Sequence, residues 1–208
     1  MKLKYASIDI ETSSIEPEWG LLLELGIVVD NNKDIAVAEL PTYRFIFLYK
    51  TIIGQSYALN LNKELIEHIE YVVQGGALLP NVIYVNMDVD TFKLVDPNVI
   101  TRQEVKNYIA LKLSKDLGGT KFNVAGKNVA GFDLPWLKAK LNDNFDMFRR
   151  RVMDPAPYFV LPDDEFLPSL QTCLDRAGTQ KSVEHTAVAD AQDVASLLRI
   201  GLTKHWSI

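Results

Sequence analysis

Ser7-Ile8-Asp9-Ile10-Glu11-Thr12, close to the start of the chain, decides how the remainder is read. Tyr5, Ser7, Ile8 and Ile10 suit a strand, and the run closes in a polar Thr12-Ser13-Ser14 turn. Side chains alternate along a strand, so Asp9 and Glu11 share one face, a single repeat apart. Two carboxylates so placed repel each other unless positive charge lies between them. Hard divalent cations such as Mg²⁺ and Mn²⁺ choose carboxylate oxygens and suit that role. Taken alone, a D-x-E is more often an acidic strand end facing water, so the rest of the chain has to decide.

Working outward, Leu21 to Asp30 is an apolar run broken only by Glu24 and Gly26, which suits a central strand closed by Asn31-Asn32-Lys33-Asp34. Ile35 to Leu40 and Tyr43 to Tyr49 read as a further strand or two, separated by Pro41, and three early strands with short connections give an antiparallel meander. Asn60 to Val73 has helical spacing and stops at Gly75-Gly76. Between 77 and 100 only Val82 to Val85 reads as a strand, and the Asp-rich turn after it reads as a surface insertion. Thr101 and Glu104 have capping-box spacing ahead of a helix with Val105, Ile109, Leu113 and Leu117 on one face. Strands over Lys121 to Ala125 and Arg149 to Met153 then alternate with helices after Asn128, over Pro168 to Ala177 and from Thr186 to Ile200. This order predicts an α/β fold in one domain, 1–208, with helices packed on a mixed sheet.

Composition narrows the function classes. A net charge of −5 argues against a broad basic surface that coats nucleic acid, but not against an enzyme that holds a few nucleotides through metal ions. Cys173 is the single cysteine, which excludes an internal disulfide and a cysteine-rich zinc site. The segment from Met1 has no signal-peptide core and no apolar run reaches membrane-span length, so a cytoplasmic setting without membrane contact is expected.

Two later segments bring further acids. Asp133 stands in Asn128-Val129-Ala130-Gly131-Phe132-Asp133, after a strand and near a helix start. Asp190 stands in His185-Thr186-Ala187-Val188-Ala189-Asp190-Ala191, on a helix that is otherwise half apolar. With Asp9-Ile10-Glu11-Thr12, these segments resemble, in order and approximate separation, the three motifs of the DEDDh 3′–5′ exonucleases, the proofreading-exonuclease and oligoribonuclease superfamily. D-x-E-T is matched by Asp9, Glu11 and Thr12, H-N-x-x-F-D by Asn128, Phe132 and Asp133 with one residue more between the asparagine and the phenylalanine, and H-x-A-x-x-D-A by His185, Ala187, Asp190 and Ala191. Lys127 stands where many members carry histidine, and Ser13-Ser14 replaces a Thr-Gly turn. Residues from about 50 to 100 match least and are expected to be an insertion.

The resemblance implies an RNase H-like sheet of five strands or slightly more. It implies that Asp9, Glu11, Asp133 and Asp190 hold two Mg²⁺ or Mn²⁺ ions, with Asp9 bridging both. His185 is then the general base, since an imidazole titrates near neutral pH. Thr12 is expected to meet the terminal 3′-OH through its N–H or hydroxyl. Phe132 is expected to stack on the last bases or to pack in the core, and Asn128 to approach the phosphate or brace its own loop. The implied substrate is the 3′ end of single-stranded DNA or RNA, with a polymerase or replication protein as a further partner. Oligoribonuclease-like trimming of short RNAs is the alternative, and a non-catalytic binding subunit of the same fold a second. Asp154 is read as a strand-end acid that supports the site from behind or has no role there, and Asp193 as a solvated neighbour of Asp190.

Overall fold

The computed structural model describes residues 3–32, 34–88, 96–141 and 145–205, with side chains described as far as 203. Seven strands form one mixed sheet: β1 (Tyr5–Thr12), β2 (Leu22–Asp30), β3 (Thr42–Leu48), β4 (Val82–Asn86), β5 (Val99–Thr101), β6 (Phe122–Ala125) and β7 (Phe148–Met153). Their spatial order is β5-β4-β3-β2-β1-β6-β7. β2 runs antiparallel to both β1 and β3, which is the expected meander, and the outer pairs are parallel. Among the described residues six α-helices pack with the sheet: α1 (Ser56–Leu61), α2 (Lys63–Val73), α3 (Arg102–Leu117), α4 (Asp133–Leu141), α5 (Leu170–Ala177) and α6 (Ala187–His205). Among the described residues no helix is long and apolar enough to cross a membrane.

Alternation in β1 sorts the two faces. Ala6, Ile8 and Ile10 join Leu25, Ile27, Phe45 and Phe47 in the main core, where Val105, Ile109 and Leu113 of α3 and Trp136, Leu137 and Leu141 of α4 cover them. Tyr5 points the other way, onto Val194 and Leu198 of α6. At that end Asp30, whose side chain is fully buried, accepts from the Tyr5 hydroxyl (2.9 Å) and from Arg199 of α6 (3.0 and 3.1 Å). This network pins α6 across β1 and β2. Asp9 and Glu11 lie on the same face further along β1, so α6 runs from the pin toward them.

Several expectations change. Ile35–Leu40 is not a strand: Val37–Glu39 forms a 3₁₀ turn, because Ile35, Val37 and Leu40 reach Val28 and Ala191 from a coiled segment without a pairing partner. The helix expected over 60–73 is two helices broken at Asn62, whose buried side chain donates to the carbonyls of Thr12 (3.2 Å) and Ala58 (3.3 Å). The seven strands agree with the expected sheet of five or slightly more, β4 and β5 extending it through the region least like the resembled family. Of the Asp-rich turn after β4, residues 89–95 lie outside the described residues. The last helix continues beyond Ile200 to His205.

Candidate active site

Three segments meet at the carboxyl end of β1. The first is β1 itself, where Asp9 pairs with Gly26 and Glu11 with Glu24 of β2. A bulge between Glu11 and Thr12 ends the regular ladder and turns the chain. The Thr12 hydroxyl donates to the Ser14 carbonyl (2.7 Å), so toward a ligand it keeps only its acceptor lone pairs. Ser13 and Ser14 are buried.

The second segment is α6. Thr186 starts it, its hydroxyl accepting from the Ala189 N–H (3.4 Å) and its carbonyl from the Asp190 N–H (3.0 Å). Gly26 lets the helix approach: a Cβ there would lie 2.3 Å from the Ala187 carbonyl carbon. Asp190 therefore arrives over β1, and oxygens of Asp9, Glu11 and Asp190 all lie within 4.8 Å of one another. His185, on the loop just before, is exposed and holds a left-handed backbone (φ 52°), uncommon outside glycine. It lines a cleft of about 620 Å³ together with Glu24, Arg44, Asn62, Lys63 and His68.

The third segment is the loop between β6 and α4. Asn128, also left-handed (φ 56°), donates its N–H to Asp154 (2.8 Å) and accepts from the N–H groups of Gly131 (2.9 Å) and Phe132 (3.0 Å). Asn128 thus braces its own loop. Asp154, which also accepts from Ala156 (2.8 Å), holds that loop in place from behind. Phe132 is half-buried against Trp136, ring centres 6.1 Å apart, so it packs on the core and stays partly exposed. Asp133 opens α4, is 2 % exposed, and lies near the Ile10 N–H, which lowers its carboxyl and places it beside β1 between Asp9 and Glu11. It stands outside the close trio but near enough for its charge to act on Asp9.

The electrostatics are those of crowded, buried acids. Burial, then the charges of Asp133, Asp190 and Glu11, drive the Asp9 carboxyl well above its ordinary range. Burial raises Glu11 to about 8, reinforced by Asp190 and Glu24 and opposed by the nearby Asn62 amide. Burial likewise brings Asp133 and Asp190 to about 7, Asp193 adding to the effect on Asp190. Asp190 Oδ1 is buried with no hydrogen-bond partner. A divalent cation answers both problems, since it neutralises the repulsion and ligates the orphaned oxygen. An oxygen-only donor set of carboxylates fits Mg²⁺ or Mn²⁺.

Two residues had other readings in the sequence. Asp193 is not solvated: it is 5 % exposed and paired with Lys181 (3.1 Å), because the loop before α6 folds back over it. Glu24, which looked like a mere interruption of an apolar strand, is 1 % exposed beside Glu11. It is held by two hydrogen bonds from Arg44 (2.9 and 3.2 Å) and accepts from the Val188 N–H in the first turn of α6. A charge inside a nine-residue apolar run was its one sequence signal.

Compared by sequence, the chain matches no family model and no curated protein. Compared by structure, it resembles the nuclease domain of 3′hExo, a DEDDh family member bound to rAMP, with a TM-score of 0.61 at 11% identity over 98% of this chain and 92% of that one. E. coli exonuclease I in complex with a dT13 oligonucleotide gives 0.55 at 12% over 98% of this chain. The Saccharomyces cerevisiae Pan2 exonuclease module in complex with AAGGA RNA gives 0.54 at 17%, again over 98%. The chain spans 41% of that exonuclease I chain and 30% of that Pan2 chain. Over nearly its whole length it therefore has the RNase H-like mixed α/β fold of the DEDDh exonucleases.

Proposed function

We propose that this chain is a metal-dependent 3′–5′ exonuclease module that releases nucleoside 5′-monophosphates from the 3′ end of single-stranded nucleic acid. The observation that carries this reading is the meeting of Asp9, Glu11 and Asp190 within 4.8 Å, Asp9 partly exposed and the other two buried, on this fold. Asp9, Glu11, Asp190 and Asp133 would hold two Mg²⁺ or Mn²⁺ ions. Such ions supply activation of a water and stabilisation of the leaving 3′-oxygen. A structure of exonuclease I with single-stranded DNA is a zinc-bound form, which agrees with a metal at sites of this fold.

The chain's own groups do the rest. His185, exposed at the cleft mouth, takes the proton of the attacking water and passes it to solvent. The Thr12 hydroxyl, its proton already given to Ser14, accepts from the terminal 3′-OH. The exposed part of Phe132 offers a stacking surface to the last bases, a contact that tolerates any sequence. The solved relatives hold DNA in one case and RNA in another, so the reading covers both, including oligoribonuclease-like trimming. A purely binding subunit has no use for four gathered acids whose carboxyls are raised by burial and, at Asp9, Glu11 and Asp190, by neighbouring acids as well. The test is product identity. Unlabelled single-stranded oligonucleotides incubated with Mg²⁺ should give nucleoside 5′-monophosphates on chromatography, and 3′-monophosphates would contradict the reading.

A further inference from the structure

On the opposite face of the sheet from α6, but at the same edge as Thr12, lies a cavity of about 810 Å³. β3, β4 and β5 run parallel to β1, so their ends at Leu48, Asn86 and Thr101 open toward it. Among the described residues its walls carry Lys50, Arg102 and Lys140 against one acid, Asp88. None of the three cations forms an ion pair among the described residues, in a chain whose net charge is −5. Burial, then the charge of Arg102, holds the Lys140 ammonium below its ordinary range, so the two cations repel each other across the pocket. Tyr49, 8 % exposed, also lines it, and its hydroxyl has no hydrogen-bond partner of normal geometry. Three cations without an ion pair among the described residues, in a concave and partly desolvated site, suit anions, although Glu18 and the Trp136 ring (5.8 Å) also act on Lys140.

The pocket is joined to the candidate active site by the turn that follows Thr12. Ser13 donates its N–H to the Leu21 carbonyl (2.9 Å) and accepts from the Leu21 N–H (2.8 Å). Its hydroxyl donates to the Ile53 carbonyl (2.6 Å), and Leu21 and Ile53 are both pocket wall. Between Ser13 and Leu21 the turn exposes Ile15 and Trp19, the latter 75 % exposed. The turn that joins the acids to the cavity wall therefore carries an exposed aromatic ring, which suits unpaired bases.

We propose that this cavity is an upstream subsite, where Arg102 and Lys140 hold backbone phosphates of a strand whose 3′ end occupies the acidic site. The proposal rests on the exonuclease reading for its substrate, and the experiment separates the two. Fluorescently labelled trinucleotide and pentadecanucleotide DNA are titrated with the full chain in Ca²⁺ by anisotropy, for the natural sequence and for Arg102→Gln/Lys140→Gln. Shortening of both oligonucleotides in Mg²⁺ is followed in parallel.

The natural sequence should bind the longer strand more tightly. The double variant should lose roughly tenfold on the longer strand and leave the trinucleotide unchanged. Its slope of log affinity against log salt should fall by about 1.4, two phosphates at about 0.7 each for a single strand. Equal binding of both lengths by the natural sequence, equal losses on both lengths, or no loss overturns the subsite. If the length-dependent pattern appears but neither strand is shortened in Mg²⁺, the exonuclease reading fails and the subsite stands. If both strands are shortened and the variant matches the natural sequence, the subsite fails and the reading stands.

Discussion

Asp190 concentrates the site's chemistry in one buried oxygen that has no donor. Substituting Asp190→Asn should weaken Mg²⁺ binding and turnover together, whereas His185→Ala should lower turnover roughly 10²–10⁴-fold and leave Mg²⁺ affinity nearly intact. Calorimetric titration beside a rate assay separates the two, and near-normal turnover in His185→Ala would remove the histidine from its role. The same crowding predicts how stability responds to pH without metal. Glu11 at about 8, with Asp133 and Asp190 at about 7, lies above the ordinary carboxyl range of about 4 in an unfolded chain. Between those limits the folded state binds more protons than the unfolded state. The stability they contribute is fully present below about pH 4 and is lost as pH rises through about 7 to 8. In EDTA the melting temperature should therefore fall from about pH 5 to about pH 8, and Mg²⁺ or Mn²⁺ at the upper pH should recover it. A rise over that interval with no response to cation contradicts the acidic-cage account.

Element placement depends on how closely α6 can lie on β2. Gly26 makes that approach possible, because a Cβ would press into the backbone of Ala187 and Val188, and neither can move without moving the helix start. Gly26→Ala should destabilise the fold by about 1–3 kcal/mol, the usual range for overpacking, as read by urea denaturation. It should also shift Asp190 and weaken Mg²⁺ binding. An unchanged midpoint and unchanged affinity would show that α6 is placed by other contacts. Glu24 works on the same joint from the side, linking Arg44 of β3 to the first turn of α6. At the far end of the helix, Asp30 with Tyr5 and Arg199 prevents sliding along the sheet.

Across the whole molecule, what could be read from the sequence was what repeats locally. The period of two in β1 put Asp9 and Glu11 on one face, and the apolar spacing around Asp190 announced a half-buried helix. Contacts between distant segments were not legible. Nothing near Asn62 shows that the Thr12 carbonyl, fifty residues earlier, draws its side chain out of a helical run. Nothing near Glu24 announces Arg44, which faces it diagonally across the β2–β3 ladder. Asp193 has the spacing of a surface acid until Lys181 is brought back over it. The three-residue β5 carries too few side chains to signal a strand, yet it closes the sheet edge beside the cationic cavity. The account meets its most direct test in single-stranded oligonucleotides labelled at the 5′ end and incubated with Mg²⁺, Mn²⁺ or EDTA. It predicts a ladder that shortens stepwise from the 3′ end, abolished by EDTA and by Asp190→Asn. Internal cleavage, or shortening that persists in EDTA, would contradict it.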